Sequence, residues 1–234
     1  MPHKRKLLRL LSPICVWKYS ESVAKLYVYG LLTPAPMPAD VRATPEFFDQ
    51  LTNDLLVLRV LAQQRFRPLS AEELNRRPGP SRWSAGQCLE HLNIVGGYYL
   101  PSIAARIAKA LARGSKPAAT AKQGYFGRRM IEAMRTPASV KAYTSPQRYA
   151  PTGTRLPRTV TEVFSRQLDE LLRLTLLARQ VNANAVRIPN AIFPLLLLRL
   201  TDQLEFMVVH IQRHIAQAEA VLEGNGVSAK TSAA

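Results

Sequence analysis

The stretch LTDQLEFMVVHIQRHIAQAEAVLE, residues 200–223, decides the fold. Leu204, Val208, Ile211, Ile215, Ala218 and Leu222 recur at spacings of four and three, the period of one apolar face on an α-helix. Gly224 follows as a stop signal. Two histidines, His210 and His214, stand one turn apart inside this run and flank Ile211. Side chains at i and i+4 are neighbours on one helix face. The two imidazoles therefore look along the edge of the core and can converge on one ion.

Upstream, the same period recurs three times. Thr159 with Glu162 reads as a capping box opening a helix that carries Val163, Phe164, Leu168, Leu171 and Leu172 to about Gln180. Ser84 with Gln87 reads as another, opening a helix from Ala85 to about Arg113. Trp83 is placed to staple onto Cys88, and a kink is expected at Pro101. The first long helix spans about Pro45 to Arg65, with Thr44 as N-cap, Pro45 at N1, and Phe48, Leu51, Leu55 and Leu58 on one face. Ser70 and Glu73 cap a short helix, Ala71 to Asn75, which Pro78-Gly79-Pro80 ends.

Residues 114–158 are the least regular part, with a short helical piece from Phe126 to Met134 and an extended, Pro-punctuated run from Pro137 to Pro157. Residues 188–194 read as a plain connection. Strand-like alternation is nearly missing. The expectation is an all-α chain: a four-helix bundle with a long irregular connection between its second and third long helices.

Composition sets the outer limits. The chain has 234 residues, 47% hydrophobic and 21% charged, which excludes a disordered or collagen-like polymer. No apolar run approaches the roughly 20 residues of a spanning helix. Two cysteines, Cys15 and Cys88, make no disulfide framework, so a reducing compartment, the cytoplasm, is the default. The net charge of +16 is partly an end effect: residues 1–36 carry Lys4, Arg5, Lys6, Arg9, Lys18 and Lys25 against Glu21 alone. The remaining charges are scattered, and no nucleic-acid-binding motif accompanies them, so no specific nucleic-acid partner is expected. We read residues 1–36 as a basic extension, disordered or the product of an upstream start. Residues 37–224 form the bundle, and 225–234 a disordered tail.

His91 lies on the second long helix, one residue before Leu92, in the same relation to its stripe as the other two histidines have to theirs. Three histidines from two rigid helices would fix a divalent metal and leave coordination positions open. On the residues alone a metal site and ordinary core histidines both stand, because Ile211 occupies the place where a His-Glu-x-x-His metalloprotease helix needs its Glu.

The segment Pro78-Gly79-Pro80-Ser81-Arg82-Trp83-Ser84-Ala85-Gly86-Gln87-Cys88-Leu89-Glu90-His91-Leu92 resembles the Trp-Ser-x-x-(Gln/Glu)-x-x-x-His-Leu segment of the DinB/YfiT-like superfamily. The run His210-Ile211-Gln212-Arg213-His214-Ile215-Ala216-Gln217 is similar to its closing helix. The resemblance covers roughly residues 45–223. It implies a four-helix bundle in which His91, His210 and His214 bind one divalent metal, zinc by default, with nickel or iron as alternatives.

Activities within the family differ. The resemblance implies a small-molecule substrate and a metal-dependent transferase using a low-molecular-weight thiol. The alternatives are a metal-dependent hydrolase and a non-catalytic, stress-related metal-binding protein. It names no catalytic residue and is compatible with a homodimer. Among the neighbours, Trp83, Ser84 and Gln87 read as capping and stapling residues and Cys88 as a small buried apolar one. Glu90 reads as a solvated position, Gln217 as an imidazole partner or a plain helix residue, and Tyr98 and Tyr99 as core or pocket lining.

Overall fold

In the computed structural model residues 41–135 and 143–226 are described; the expected basic extension 1–36 and residues 136–142 and 227–234 lie outside them. A three-residue strand, β1 (Val41–Ala43), runs straight into α1 (Thr44–Leu61), which continues as a π-turn to Phe66. The expected cap is displaced by one residue. Ala43 holds the N-cap position and makes no side-chain cap bond. Thr44 is the first helical residue, and its Oγ1 donates to the Ala118 carbonyl at 2.7 Å. That hydroxyl is drawn away because β1 pairs antiparallel with β2 (Thr120–Lys122), which brings residues 118–119 alongside.

The short helix α2 (Ala71–Asn75) has both bonds of its capping box. So does α3 (Ala85–Ala112): Ser84 Oγ accepts from the Gln87 N–H at 3.1 Å, and Gln87 Oε1 accepts from the Ser84 N–H at 3.0 Å. The helix runs through Pro101 without a break in its assignment. After β2 comes α4 (Tyr125–Arg135), and in the next described stretch a 3₁₀ turn stands at Gln147–Tyr149.

The expected capping box of α5 (Thr159–Ala178) is not formed. Arg158, already helical at φ −60° and ψ −22°, holds the N-cap position. The Val160 and Thr161 N–H groups bond the Pro157 and Arg158 carbonyls at 3.1 and 3.0 Å. A tight backbone turn thus takes the place of the expected Thr159 hydroxyl.

Residues 188–194 are more than a connection. They belong to a hairpin of β3 (Arg187–Pro189) and β4 (Leu197–Arg199), in register Arg187 to Arg199. The last helix, α6 (Leu200–Gly224), follows directly and ends in a turn where the Asn225 side chain donates to the Arg76 carbonyl at 3.1 Å.

The described chain is predominantly helical. Four long helices enclose the core: α1 packs on α5 and α6, and α3 also packs on α5 and α6. Between them lie Leu51, Leu55, Leu89, Ile103, Phe164, Leu168, Leu171, Leu204 and Val208, all buried. Each such side chain contributes about 1.5–3 kcal/mol by leaving water. Along α4, Gly127 lies close against α6, since a Cβ there would lie 2.2 Å from Asp202 Cγ.

The first half of α6 carries buried charge that the rest of the chain answers. Asp202 Oδ1 accepts from the Gly124 N–H at 2.9 Å. Glu205, 2% exposed, meets the Arg42 guanidinium, Arg135 at 2.7 Å and the Gln123 amide at 2.7 Å.

Candidate metal centre

His91 on α3 and His210 and His214 on α6 come together at the edge of the core. They are 5%, 6% and 9% exposed, and one nitrogen of each lies within 4.8 Å of the others. His91 Nε2 and His210 Nε2 stand 3.2 Å apart. Two nitrogens on one ion at about 2.0–2.1 Å stand about 3.0–3.4 Å apart, so this pair already has the spacing of co-ligands.

Two of the imidazoles have their free atom fixed by a partner behind the ring. His91 Nδ1 lies 2.7 Å from the Tyr149 carbonyl, which can only accept, so Nδ1 carries the proton and Nε2 keeps its lone pair. His214 Nδ1 donates to Gln217 Oε1 at 3.1 Å, with the same result. Such oxygen partners orient ligating imidazoles and raise their basicity. His210 differs: its Nδ1 is buried without a hydrogen-bond partner among the described residues.

Aromatic rings wall the cluster. Trp83 stacks on His214 with ring centres 5.9 Å apart and sits 5.2 Å from His91. Phe206, one turn before His210 on α6, stacks on it at 5.4 Å with an interplanar angle of 11°.

Burial dominates the electrostatics. It lowers the His91 pKa, partly offset by the Tyr149 carbonyl. It drives His210 well below the ordinary value, helped by the neighbouring imidazoles and Arg213. It takes His214 down to about 3, with His91 and Arg213 adding and Gln217 opposing. All three rings are therefore neutral at pH 7, the form that binds metal. Among the described residues the cluster holds histidines alone, with no carboxylate or thiol.

The neighbours singled out in the sequence sort clearly. Ser84 and Gln87 cap α3, and Gln87 also holds the loop at Gly153 through a 3.0 Å bond. Trp83 covers the imidazoles in addition to preceding the cap. Cys88 is fully buried, its thiol pushed up to about 12 by burial, and stands outside the cluster. Glu90 is not a solvated position: it accepts from Thr152 Oγ1 at 3.1 Å and the Gly153 N–H at 3.3 Å. Gln217 is an imidazole partner. Tyr99 is core, its hydroxyl accepting from the Ala191 N–H at 2.9 Å, while Tyr98 is 38% exposed.

Three contributors escaped the sequence reading. Phe206 had a signal in its spacing of four before His210. Arg213 had one in its adjacency to His214. The Tyr149 carbonyl had none, because every residue has a carbonyl.

Among curated proteins and solved structures, none matches the chain significantly. A family model described as the DinB superfamily matches residues 55–218. That span covers more than half of the chain and takes in the Trp83–His91 segment and the closing helix alike, and the chain belongs to the DinB superfamily.

Proposed function

We propose that the chain is a divalent-metal-binding four-helix bundle in which His91, His210 and His214 hold one ion, and that it is a metal-dependent transferase using a low-molecular-weight thiol. The observation that carries the metal reading is the pair of imidazoles whose Nδ1 protons are committed to Tyr149 and Gln217, with one Nε2 lying 3.2 Å from the third ring. Four long helices, each packed on two others, suit a bundle.

The donor set suits zinc, which accepts three imidazoles and keeps a position open. An ion held there is a Lewis acid that lowers the pKa of a thiol or water brought to it. The three donors are neutral, so they cancel none of its charge.

The residues of the chain supply the rest. Tyr149 and Gln217 orient the imidazoles, Trp83 and Phe206 exclude water from their faces, and Arg213 adds positive potential that favours an anionic reactant. The family resemblance favours a thiol as the reactant, and a water activated by the same ion is the alternative. The thiol would release its proton to solvent, its sulfur would form a bond to the electrophile's carbon, and the leaving group would depart with the bonding pair and take up a proton from solvent.

Elemental analysis and a thiol panel test this reading. Reconstituted protein should hold one ion per chain, His91→Ala should lose it, and thiol consumption with an electrophile should require the metal. A protein that takes up no stoichiometric ion sinks the site. Metal-dependent turnover that ignores thiols replaces the transferase with a hydrolase.

A further inference from the structure

The hairpin after α5 ends in an apolar tip that the fold does not cover. Residues 192–197 read Ile-Phe-Pro-Leu-Leu-Leu. Ile192 is 45% exposed, Phe193 68%, Leu195 99% and Leu197 51%. Isolated exposed leucines are ordinary, but a contiguous projecting run is not.

Much of the backbone beneath this tip is hydrogen-bonded. Asn190, 2% exposed, accepts through Oδ1 from the Ile192 and Phe193 N–H groups at 2.9 and 3.0 Å. The Asn190 N–H bonds the Leu196 carbonyl at 2.9 Å, and the Leu196 N–H bonds the Phe193 carbonyl at 2.8 Å. Ala191 donates to Tyr99 and accepts from Tyr149 Oη at 2.8 Å; Arg148 donates to the Ala191 and Ile192 carbonyls. Pro194 has no N–H. A loop that has paired much of its own backbone enters an interfacial medium at a reduced desolvation cost.

The charge around the tip is mainly basic, with Asp202 facing Arg199 at the foot of the hairpin. Arg187 and Arg199 stand directly opposite each other at the foot of the hairpin, a like-charged pairing that is unfavourable by itself. Arg148 lies exposed against the loop. No acidic residue occurs between Glu90 and Glu132, between Glu132 and Glu162, or between Glu170 and Asp202, which takes in β2, the hairpin and the loop through Tyr149. Arg199 is four residues from Leu195, about 13 Å along a strand. That spacing puts the guanidiniums at headgroup level when the tip reaches the acyl boundary.

We propose that this hairpin tip seats in an anionic lipid surface, with Phe193 and Leu195 inserted and Arg187, Arg199 and Arg148 on the phosphates. A convex, projecting tip ringed by cations fits a deformable anionic surface. No helix among the described residues is long and apolar enough to cross a membrane, so the attachment is interfacial.

The test is co-sedimentation of the full chain with vesicles of equal parts phosphatidylglycerol and phosphatidylcholine, against pure phosphatidylcholine. Wild type should bind the anionic vesicles. The exposed double substitution Phe193→Asp with Leu195→Asp should weaken binding at least tenfold at unchanged thermal melting. Arg187→Gln should weaken it about fivefold and flatten its salt dependence. Phe193→Trp should add a blue-shifted emission component on anionic vesicles only. A double variant that binds like wild type would reduce the effect to adsorption of a +16 chain and overturn the proposal, as would a Phe193→Trp variant whose emission does not shift. Self-association without lipid that the double variant abolishes would assign the tip to a second copy instead.

Discussion

Two buried polar clusters, one in each half of α6, are built in opposite ways. The Asp202 and Glu205 carboxyl groups are met by backbone N–H groups, an amide and two guanidiniums. His210 and His214 are neutral, and they face a third imidazole with one nitrogen left unpartnered. A saturated cluster holds a fold in one arrangement. An unsaturated one, kept neutral and oriented from behind, leaves lone pairs for the ion proposed above. The difference is the best argument that the histidines are more than core residues.

Removing Glu205 should have the largest effect. Glu205→Leu strands Arg42 and Arg135 beside α6, and breaking a buried pair in this way costs about 3–5 kcal/mol. Chemical denaturation should show the loss, while metal content at low temperature survives. If Glu205→Leu emptied the histidine cluster in a still-folded protein, the two halves would be one site.

Metal removal should act next. A ligand at a hundred times its dissociation constant stabilises the native state by about 2.7 kcal/mol, so chelation should lower the melting temperature of wild type and leave that of His214→Ala nearly unchanged. Equal shifts in both would break the comparison.

The metal-free protein should also lose stability in acid. His214 has a folded pKa of about 3 against an ordinary value of about 6.5, so between those limits the unfolded chain binds a proton that the native one refuses. Its stabilising contribution is complete above pH 6.5 and falls by about 1.4 kcal/mol per pH unit below it. Urea titrations of apoprotein across pH 7 to 5 should show this slope, and His214→Gln should flatten it.

The smallest effect belongs to a cap. Ser84→Ala should cost about 0.5–2 kcal/mol and leave metal stoichiometry intact, since Ser84 serves the first turn of α3. Loss of metal in the folded variant would move Ser84 into the site.

How much of this was legible from sequence depended on who owns each interaction. The four long helices were, because their stripes repeat. The capping boxes at Ser70 and Ser84 were, because both partners lie three residues apart. Thr159 with Glu162 had the same signature and failed, since a backbone turn took the bonds, and Thr44, read as a lone N-cap, lost its hydroxyl to a neighbouring segment. The paired strands were invisible at three residues each, too short for any period. The histidine cluster was legible as a spacing on one helix and a matching flank on another. Its outer partners were not: the Tyr149 carbonyl arrives from an irregular loop, and Trp83 meets His214 only once α3 and α6 are packed.

Tyr149 is anchored at both ends. Its carbonyl accepts a hydrogen bond from His91 Nδ1–H, and its hydroxyl donates to the Ala191 carbonyl in the hairpin loop. A tyrosine is a stiff rod from main chain to phenol oxygen, so neither end shifts without the other. Lengthening the loop near Ala191 by one residue would therefore tilt an imidazole on the far side of the ring. The hairpin accepts new side chains at Phe193 and Leu195, but it has almost no tolerance for a change of length.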